Sequence, residues 1–323
     1  MNATDNIYYL AQVNARNWTP RKDIEELEKD IPFIQVAKDI RGKYVVTGHG
    51  HKGHDNEPRM DYYCRYFQDW IFPNVEGNAS GYYNIELHDS YAYLERPQVD
   101  YMNGVMTFAK AKNDVGPILI PDPYMVGNWA DKNVDIVDTV PWDCKDDKVC
   151  FFGTTTGSRD PIKNRRINMC IWACDRKQRY DFGITHVAQM SPSQIISSIG
   201  LSRWQDILRP RPVSWQEQVR NKFLFLPDGN TCKFDVWPMQ TQSLCLKDVS
   251  DDMLWYYPML GDKQHFVEVD EKTIDNVVSY YLANPREAQT IVATSQSFSK
   301  AMFQPSSHIL YTTALFETMA WNA

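Results

Sequence analysis

The residues GTTTGSRD, 153–160, follow the apolar run KVCFF and precede a segment of helical character. A strand that ends in small residues and turns into a helix offers an anion three things: backbone N–H groups, threonine hydroxyls and the positive end of a helix dipole. Arg159 stands at the mouth of this turn, and Lys163, Arg165 and Arg166 come after it. Asp160 is expected to cap the helix, with Pro161 in its first position. The spacing is not that of a GxxxxGK[ST] loop and the lysine is missing, so a kinase-type phosphate loop is excluded; nor is it GxGxxG. Two readings stay open: an anion-binding turn, or a well-capped connection that binds nothing.

A second stretch with chemical content is NIELHDSYAYL, 84–94, read as a strand whose end carries Asp89, flanked by His88 and Tyr91. In α/β folds a carboxylate at the carboxyl end of a strand faces the ligand side, where a general base belongs. The alternative is an aspartate that caps a turn. Three histidines, His49, His51 and His54, share the glycine-rich stretch GHGHKGHD. They fit a mobile polar loop, a loop on the substrate side or a metal site, but no HExxH motif or further acid is tied to them. There is no GxSxG elbow and no assembled Ser/His/Asp set. Among the aromatics, Trp70, Trp129, Trp142, Tyr256 and Tyr257 fit a core, although sugar-binding clefts also use exposed aromatic faces.

The elements that must position these residues are clearest in the second half. Apolar, β-rich runs occur at 148–153, 180–187, 222–227, 243–247 and 265–269. Helical segments lie between them at 161–177, 191–200, 214–220 and 250–260, and two more come later at 271–285 and 285–303. Strands alternating with helices predict parallel βαβ units and a doubly wound sheet. The first half is less regular, with strands expected at 43–48, 82–89, 105–111 and 116–122 and an amphipathic aromatic helix at 58–72. The polar stretch DIVDTVPWDCKDD separates the halves. The expected organisation is an N-terminal acceptor-side domain over 1–138, a donor domain over 139–303, and a C-terminal helix over 304–323 packing back on the first domain.

Composition bounds the function. The 323 residues carry 34 basic against 41 acidic side chains, a net charge of −7, and 43% are hydrophobic. A chain of that hydrophobic content supports a real core and is not disordered. A net acidic chain is a poor nucleic-acid binder, so any anion site must be a local basic cluster. No run of 18 apolar residues spans a membrane, and the N-terminus shows no signal peptide, so a cytoplasmic location is expected. The seven cysteines form no CxxC pair and read as reduced thiols.

Taken in order, these stretches resemble glycosyltransferase family 90, the group of the fungal capsule-associated protein and the animal protein O-glucosyl- and O-xylosyltransferases. The likeness runs from about Tyr82 to Phe303. It is carried by ILIPDPYMVGNW, VPWDCKDDKVCFFGTTTG, GSRDPIKNRR, NKFLFLPDGNTCKF and the series QSLCLK, MLWYYPML, HFVEVD. The resemblance implies an α/β protein of the GT-B type, two Rossmann-like domains facing a central cleft. It implies an inverting transferase that takes xylose or glucose from a UDP-sugar to a hydroxyl of a glycan or glycoprotein, needing no cofactor and no metal. A short xylosyltransferase-type form of this kind suits a large DNA virus that builds its own glycans.

Residue by residue, the resemblance makes Asp89 the general base and Arg159 the cation on the donor diphosphate. Gly153, Thr154 and Thr155 become the turn beside that diphosphate, and Asp228, Gly229, Lys233 and Ser243 further donor-side residues. Lys233 stands near the family's second phosphate arginine, one residue short in spacing, and Gln242 replaces the usual glycine before Ser243. Lysine still neutralises a phosphate but lacks the bidentate fork. His88, Tyr91 and Trp129 are expected on the acceptor side. The alternatives are a transferase for a different nucleotide sugar and a non-catalytic glycan- or nucleotide-binding relative. Sugar identity, acceptor, linkage, oligomeric state and the role of the histidine loop are left open by the sequence.

Overall fold

The chain divides into two units in the computed structural model, which describes residues 3–16, 18, 20–26, 31–50, 56–87, 104–122, 136–230 and 236–321. One unit comprises Met1–Val134, Asp252–Met259 and Ala301–Ala323; the other comprises Asp135–Asp251 and Leu260–Lys300. The units are therefore not consecutive segments. Asp252–Met259, within the expected donor domain, belongs to the first unit because its Trp255 and Tyr256 are buried there against Tyr311 and Phe303.

The first unit begins with α1 (Ala3–Ala15), β1 (Phe33–Lys38) and β2 (Tyr44–His49). Next come α2 (Asn56–Tyr66), which runs into a π-helical turn at Phe67–Ile71, and β3 (Gly81–Asn84). The short strands β4 (Met106–Thr107), β5 (Lys110–Ala111) and β6 (Ile118–Leu119) complete its first stretch of chain. Strand β1 is central and antiparallel to both β2 and β3. Period-two burial sets its register: Ile34 and Val36, with Tyr44 and Val46 of β2, point inward. Beyond β3, Ile85 bridges Met106 in parallel, and β4 pairs in parallel with β6.

This mixed arrangement differs from the Rossmann-like first domain expected from the sequence. The antiparallel β1–β2 hairpin takes the place of a βαβ unit. Its turn is closed by Asp39, whose Oδ1 accepts from the N–H groups of Arg41 and Lys43 at 2.8 and 2.9 Å. The strand expected over 82–89 is also shorter. It stops at Asn84, and the chain to Leu87 is held instead by Arg59, whose guanidinium donates to the Leu87 carbonyl.

The second unit starts at β7 (Asp146–Thr154), followed by α3 (Arg165–Cys174) and β8 (Tyr180–His186). Helices α4 (Pro192–Ile199), α5 (Leu201–Ile207) and α6 (Trp215–Gln218) lead to β9 (Asn221–Leu226) and β10 (Leu244–Asp248). After the excursion of β11 (Asp252–Met253), antiparallel to β5, the chain returns as β12 (Val267–Val269) and α7 (Ile274–Ala283). The long helix α8 (Pro285–Met302) and α9 (Pro305–Trp321) end the chain. Capping boxes start α4 at Ser191–Gln194 and α6 at Ser214–Glu217. The helix expected over 250–260 is instead β11 and a 3₁₀ turn at Tyr257–Met259, and α5 is not among the segments expected from the sequence.

The five strands of this unit run in the order β8-β7-β9-β10-β12, and every pairing is parallel. Renumbered from β7, that is the order 2-1-3-4-5 of a doubly wound sheet, whose switch point lies between β7 and β9. Phe182 of β8 stacks on Phe225 of β9 at 5.2 Å, and Phe151 meets both edge-on, so aromatic packing fills that sheet face. Among the described residues no helix is long and apolar enough to cross a membrane. None of the six described cysteines is in a disulfide.

Helix α9 completes the first unit's core. Phe316 packs on Phe67, Phe72 and Tyr83, and the Tyr311 hydroxyl accepts from Asn14 and donates to the Leu119 carbonyl, each at 2.7 Å. On the same face His308 is fully buried, edge-on to Trp255 at 5.2 Å, and burial pushes its imidazole down to about 3. A depressed folded-state pKa means that the unfolded chain binds the proton first as pH falls. The stability is therefore complete above about pH 6.5 and is lost progressively below it. The contribution of His308 is expected to fall by about 2 kcal/mol between pH 7 and pH 5. Urea denaturation of wild type and His308→Phe at both pH values checks this: the variant should lose less stability on acidification by that amount.

Candidate active site

The carboxyl edge of β7 and β9 is built by two turns that meet. Thr154, at the end of β7, is followed by Thr155, which is completely buried. Its N–H donates to the His186 carbonyl at 3.2 Å; its hydroxyl donates to the Ala188 carbonyl at 2.7 Å and accepts from the Ala188 N–H at 2.8 Å. Thr155 thus ties the turn to the end of β8. Gly157 sits at φ +121°, a backbone region open to glycine, and donates to Asn230 Oδ1 at 2.8 Å and Gln189 Oε1 at 3.2 Å. Gln189 itself lies at φ +66°, a left-handed conformation that a residue with a side chain seldom adopts.

Asn164, buried and invisible as a site residue in the sequence, organises the passage from this turn into α3. Its Nδ2 donates to the carbonyls of Thr155 and Ser158, both at 2.9 Å, and its Oδ1 accepts from the Ile167 N–H at 3.1 Å. It is the N-cap of α3. The expected cap, Asp160, instead accepts from the Ile162 N–H at 3.0 Å and closes a turn of its own. Pro161 therefore lies in that turn, and the helix starts at Arg165. A proline fits a turn as readily as a first helical position, which is why the spacing misled.

Arg166 then joins the two turns. Its Nη1 donates to Thr156 Oγ1 at 2.6 Å and to the Thr154 carbonyl at 3.3 Å, while Nε donates to the Asp228 carbonyl at 3.2 Å. The fit depends on Gly229, where an added Cβ would lie 2.6 Å from Arg166 Nη2 and 2.8 Å from Thr156 Oγ1. Arg165 points elsewhere: its Nε and Nη2 fork onto the buried Asp248, both at 2.6 Å, and its Nη1 reaches Glu271 at 2.7 Å. Hydrogen bonds that Arg165 donates to Asp248 and then to Glu271 raise it further above its ordinary value, and Glu271 is held low by a backbone hydrogen bond and by Arg165. The buried Lys247, at the end of β10, pairs with Asp228. One sheet edge thus carries several cations, with the positive end of α3 and no acidic residue in its first turn.

The structure brings together Gly153, Thr154, Thr155, Asp228 and Gly229 at this edge, with Arg159 exposed on the turn leading to α3. It does not bring Ser243 there. Ser243 is buried before the start of β10, where its hydroxyl donates to the Asn221 carbonyl at 2.7 Å, at the opposite, amino edge of the sheet. Asp89, His88, Tyr91, Trp129 and Lys233 lie outside the described residues, as do His51 and His54. His49 stacks on Phe33 at 4.7 Å. Among the described residues no group of three His, Cys, Asp or Glu could hold a metal ion.

Fold and edge together define a mixed α/β protein with a parallel sheet whose switch point lies beside the 153–157 turn. No protein-family model matches the chain, and no curated protein matches it. Among solved structures, one titled "Crystal Structure of TarM" aligns with a TM-score of 0.41 at 10% identity, over 87% of this chain and 63% of that one. The chain spans less than two thirds of that protein's length, and a likeness this weak carries neither fold nor activity across.

Asn164→Ala should lower the stability of the second unit by about 2–3 kcal/mol, from one lost cap and buried carbonyls left without their donor. Urea denaturation measures the loss, and hydrogen exchange locates it: the amides of 155–167 should exchange faster while those of β9 keep their protection.

Proposed function

We propose that the protein is a glycosyltransferase resembling family 90, whose doubly wound second unit is the donor domain of a GT-B-type enzyme and whose first unit departs from the Rossmann form. It transfers xylose or glucose from a UDP-sugar to a hydroxyl of a glycan or glycoprotein with inversion, without a metal. The observation that most supports this reading is the meeting of two glycine-containing turns under one guanidinium at the switch point of the parallel sheet. Ligands of open α/β sheets bind outside the carboxyl ends of the strands at that point.

In this reading the second unit holds the donor. Arg159 and Arg166, with the backbone of the 153–157 turn, take the diphosphate, and α3 adds its dipole. Asp89 takes the proton from the acceptor hydroxyl as its oxygen bonds to the anomeric carbon. The bond from that carbon to the diphosphate breaks, and UDP leaves with the electron pair. The arginines stabilise the charge that develops on the leaving group. A positioned base contributes roughly 10²–10⁴-fold, and each charged hydrogen bond to phosphate about 1.5–3 kcal/mol.

A panel of nucleotide sugars, followed by donor hydrolysis and by UDP binding, tests the reading. UDP-xylose or UDP-glucose should be consumed, with activity surviving a chelator; no hydrolysis and no UDP binding would sink it. Binding of UDP without turnover would select the non-catalytic alternative. Arg166→Ala should weaken UDP binding roughly 10- to 100-fold, whereas Asp89→Asn should abolish most turnover and leave UDP affinity nearly intact.

A further inference from the structure

Helix α1 buries Ile7, Leu10, Ala11 and Ala15 at helical spacing. The adjoining strip of that helix presents Tyr8, Tyr9, Gln12 and Arg16, and α9 presents Glu317 and Trp321 beside them. Together they line a groove of about 500 Å³ in the first unit. That volume falls within the roughly 300–1,000 Å³ of small-ligand sites. Its aromatic content is unusual for a surface: Trp321 is 80% exposed, Tyr9 59% and Tyr8 39%. Two hydrogen bonds anchor the helices that form it. The Asn14–Tyr311 hydrogen bond crosses between the helices at 2.7 Å, and Glu317 Oε1 accepts from the Glu76 N–H at 3.2 Å.

We propose that this groove is a binding site for an oligosaccharide, with Tyr9 and Trp321 as stacking platforms. A sugar ring has apolar C–H faces and a rim of hydroxyls, each both donor and acceptor. The groove offers the matching set. Its rings are amphipathic, Gln12 both donates and accepts, Arg16 only donates, and Glu317 accepts. A phosphate ligand would call for cations alone, whereas here a carboxylate faces the same space as the guanidinium. A nucleic acid is disfavoured by the net charge of −7. A folded partner is disfavoured by size: a groove of about 500 Å³ is that of a small ligand, whereas a stable protein interface covers roughly 800 Å² on each side. None of the groove residues belongs to the donor turn, so the inference stands or falls apart from the transfer reading.

The test is an immobilised glycan array probed with the whole protein, followed by titration of the retained glycans in solution. Wild type should retain at least one glycan, and Tyr9→Ala combined with Trp321→Ala should weaken it tenfold or more. Gln12→Ala should give a smaller loss. Because both rings are solvent-exposed, the double variant should keep the wild-type melting curve. Arg166→Ala should bind the array like wild type, so a failed donor assay leaves this result interpretable. The proposal is overturned if no glycan is retained or if the double variant binds as well as wild type. It is equally overturned if the double variant changes only the oligomeric state by light scattering, which would make a second copy the occupant.

Discussion

The carboxyl edge of the second unit is held by two contacts between its turns, the Arg166 guanidinium and the Gly157 N–H bond to Asn230. The turns that leave β7 and β9 are separated in the chain by α3, β8 and three further helices, and no covalent constraint brings their tips together. Arg166 does so by donating to Thr156 and Thr154 on one side and to the Asp228 carbonyl on the other, together with the Gly157 N–H, which donates to Asn230. Charge-assisted hydrogen bonds of this kind are about twice as strong as neutral ones. The geometry also explains two glycines. Gly157 supplies a positive φ, and Gly229 leaves the space in which the guanidinium lies.

Around that staple the electrostatics are arranged so that most charges already have work within the fold. Arg165 is spent on Asp248 and Glu271, and Lys247 on Asp228. Breaking either pair would leave a buried charge uncompensated, which is far costlier than the net worth of the pair. These pairs hold the ends of β9 and β10 against α3 and leave the edge rigid. With Arg165 and Lys247 paired to carboxylates, the charge left at this edge is carried by Arg166, which donates to neutral carbonyl and hydroxyl oxygens, and by the exposed Arg159.

The sequence was most legible where period and packing agree. The runs at 148–153, 222–227 and 243–247 are strands because they are apolar segments set within a parallel sheet, and the edge run at 180–187 keeps Tyr180, Phe182 and Ile184 buried at period two. The strand–turn–helix order around Gly153 was legible for the same reason. What stayed hidden was side-chain capping. Asp160-Pro161 carries the stronger start signal, yet the buried Asn164 caps the helix, because only from that position does one amide reach Thr155, Ser158 and Ile167 together. Arg166 was visible as a charge on the first turn, but its reach to a second turn is a tertiary fact. Ser243 looked like a site residue by order along the chain, although parallel topology places the start and the end of a strand at opposite edges.

The segment 250–260 shows how tertiary packing overrides local pattern. Its aromatic, apolar composition reads as a helix, yet it forms β11 and a 3₁₀ turn. The reason lies in the sheet. Parallel neighbours such as β10 and β12 cannot be joined by a hairpin and need a long crossover, usually helical. Here the crossover includes an excursion into the other unit, where β11 pairs with β5 and Trp255 and Tyr256 are buried. A helix over the same residues would place the aromatic pair about 100° apart around its axis. The turn that follows β11, closed by the Tyr257 N–H on the Leu254 carbonyl at 3.0 Å, sends Trp255 to Tyr311 and Tyr256 to Phe303, both contributed by the chain's C-terminal segment. The crossover of one sheet thereby serves as core for the other unit, and its conformation is set by the core it enters and not by its own periodicity.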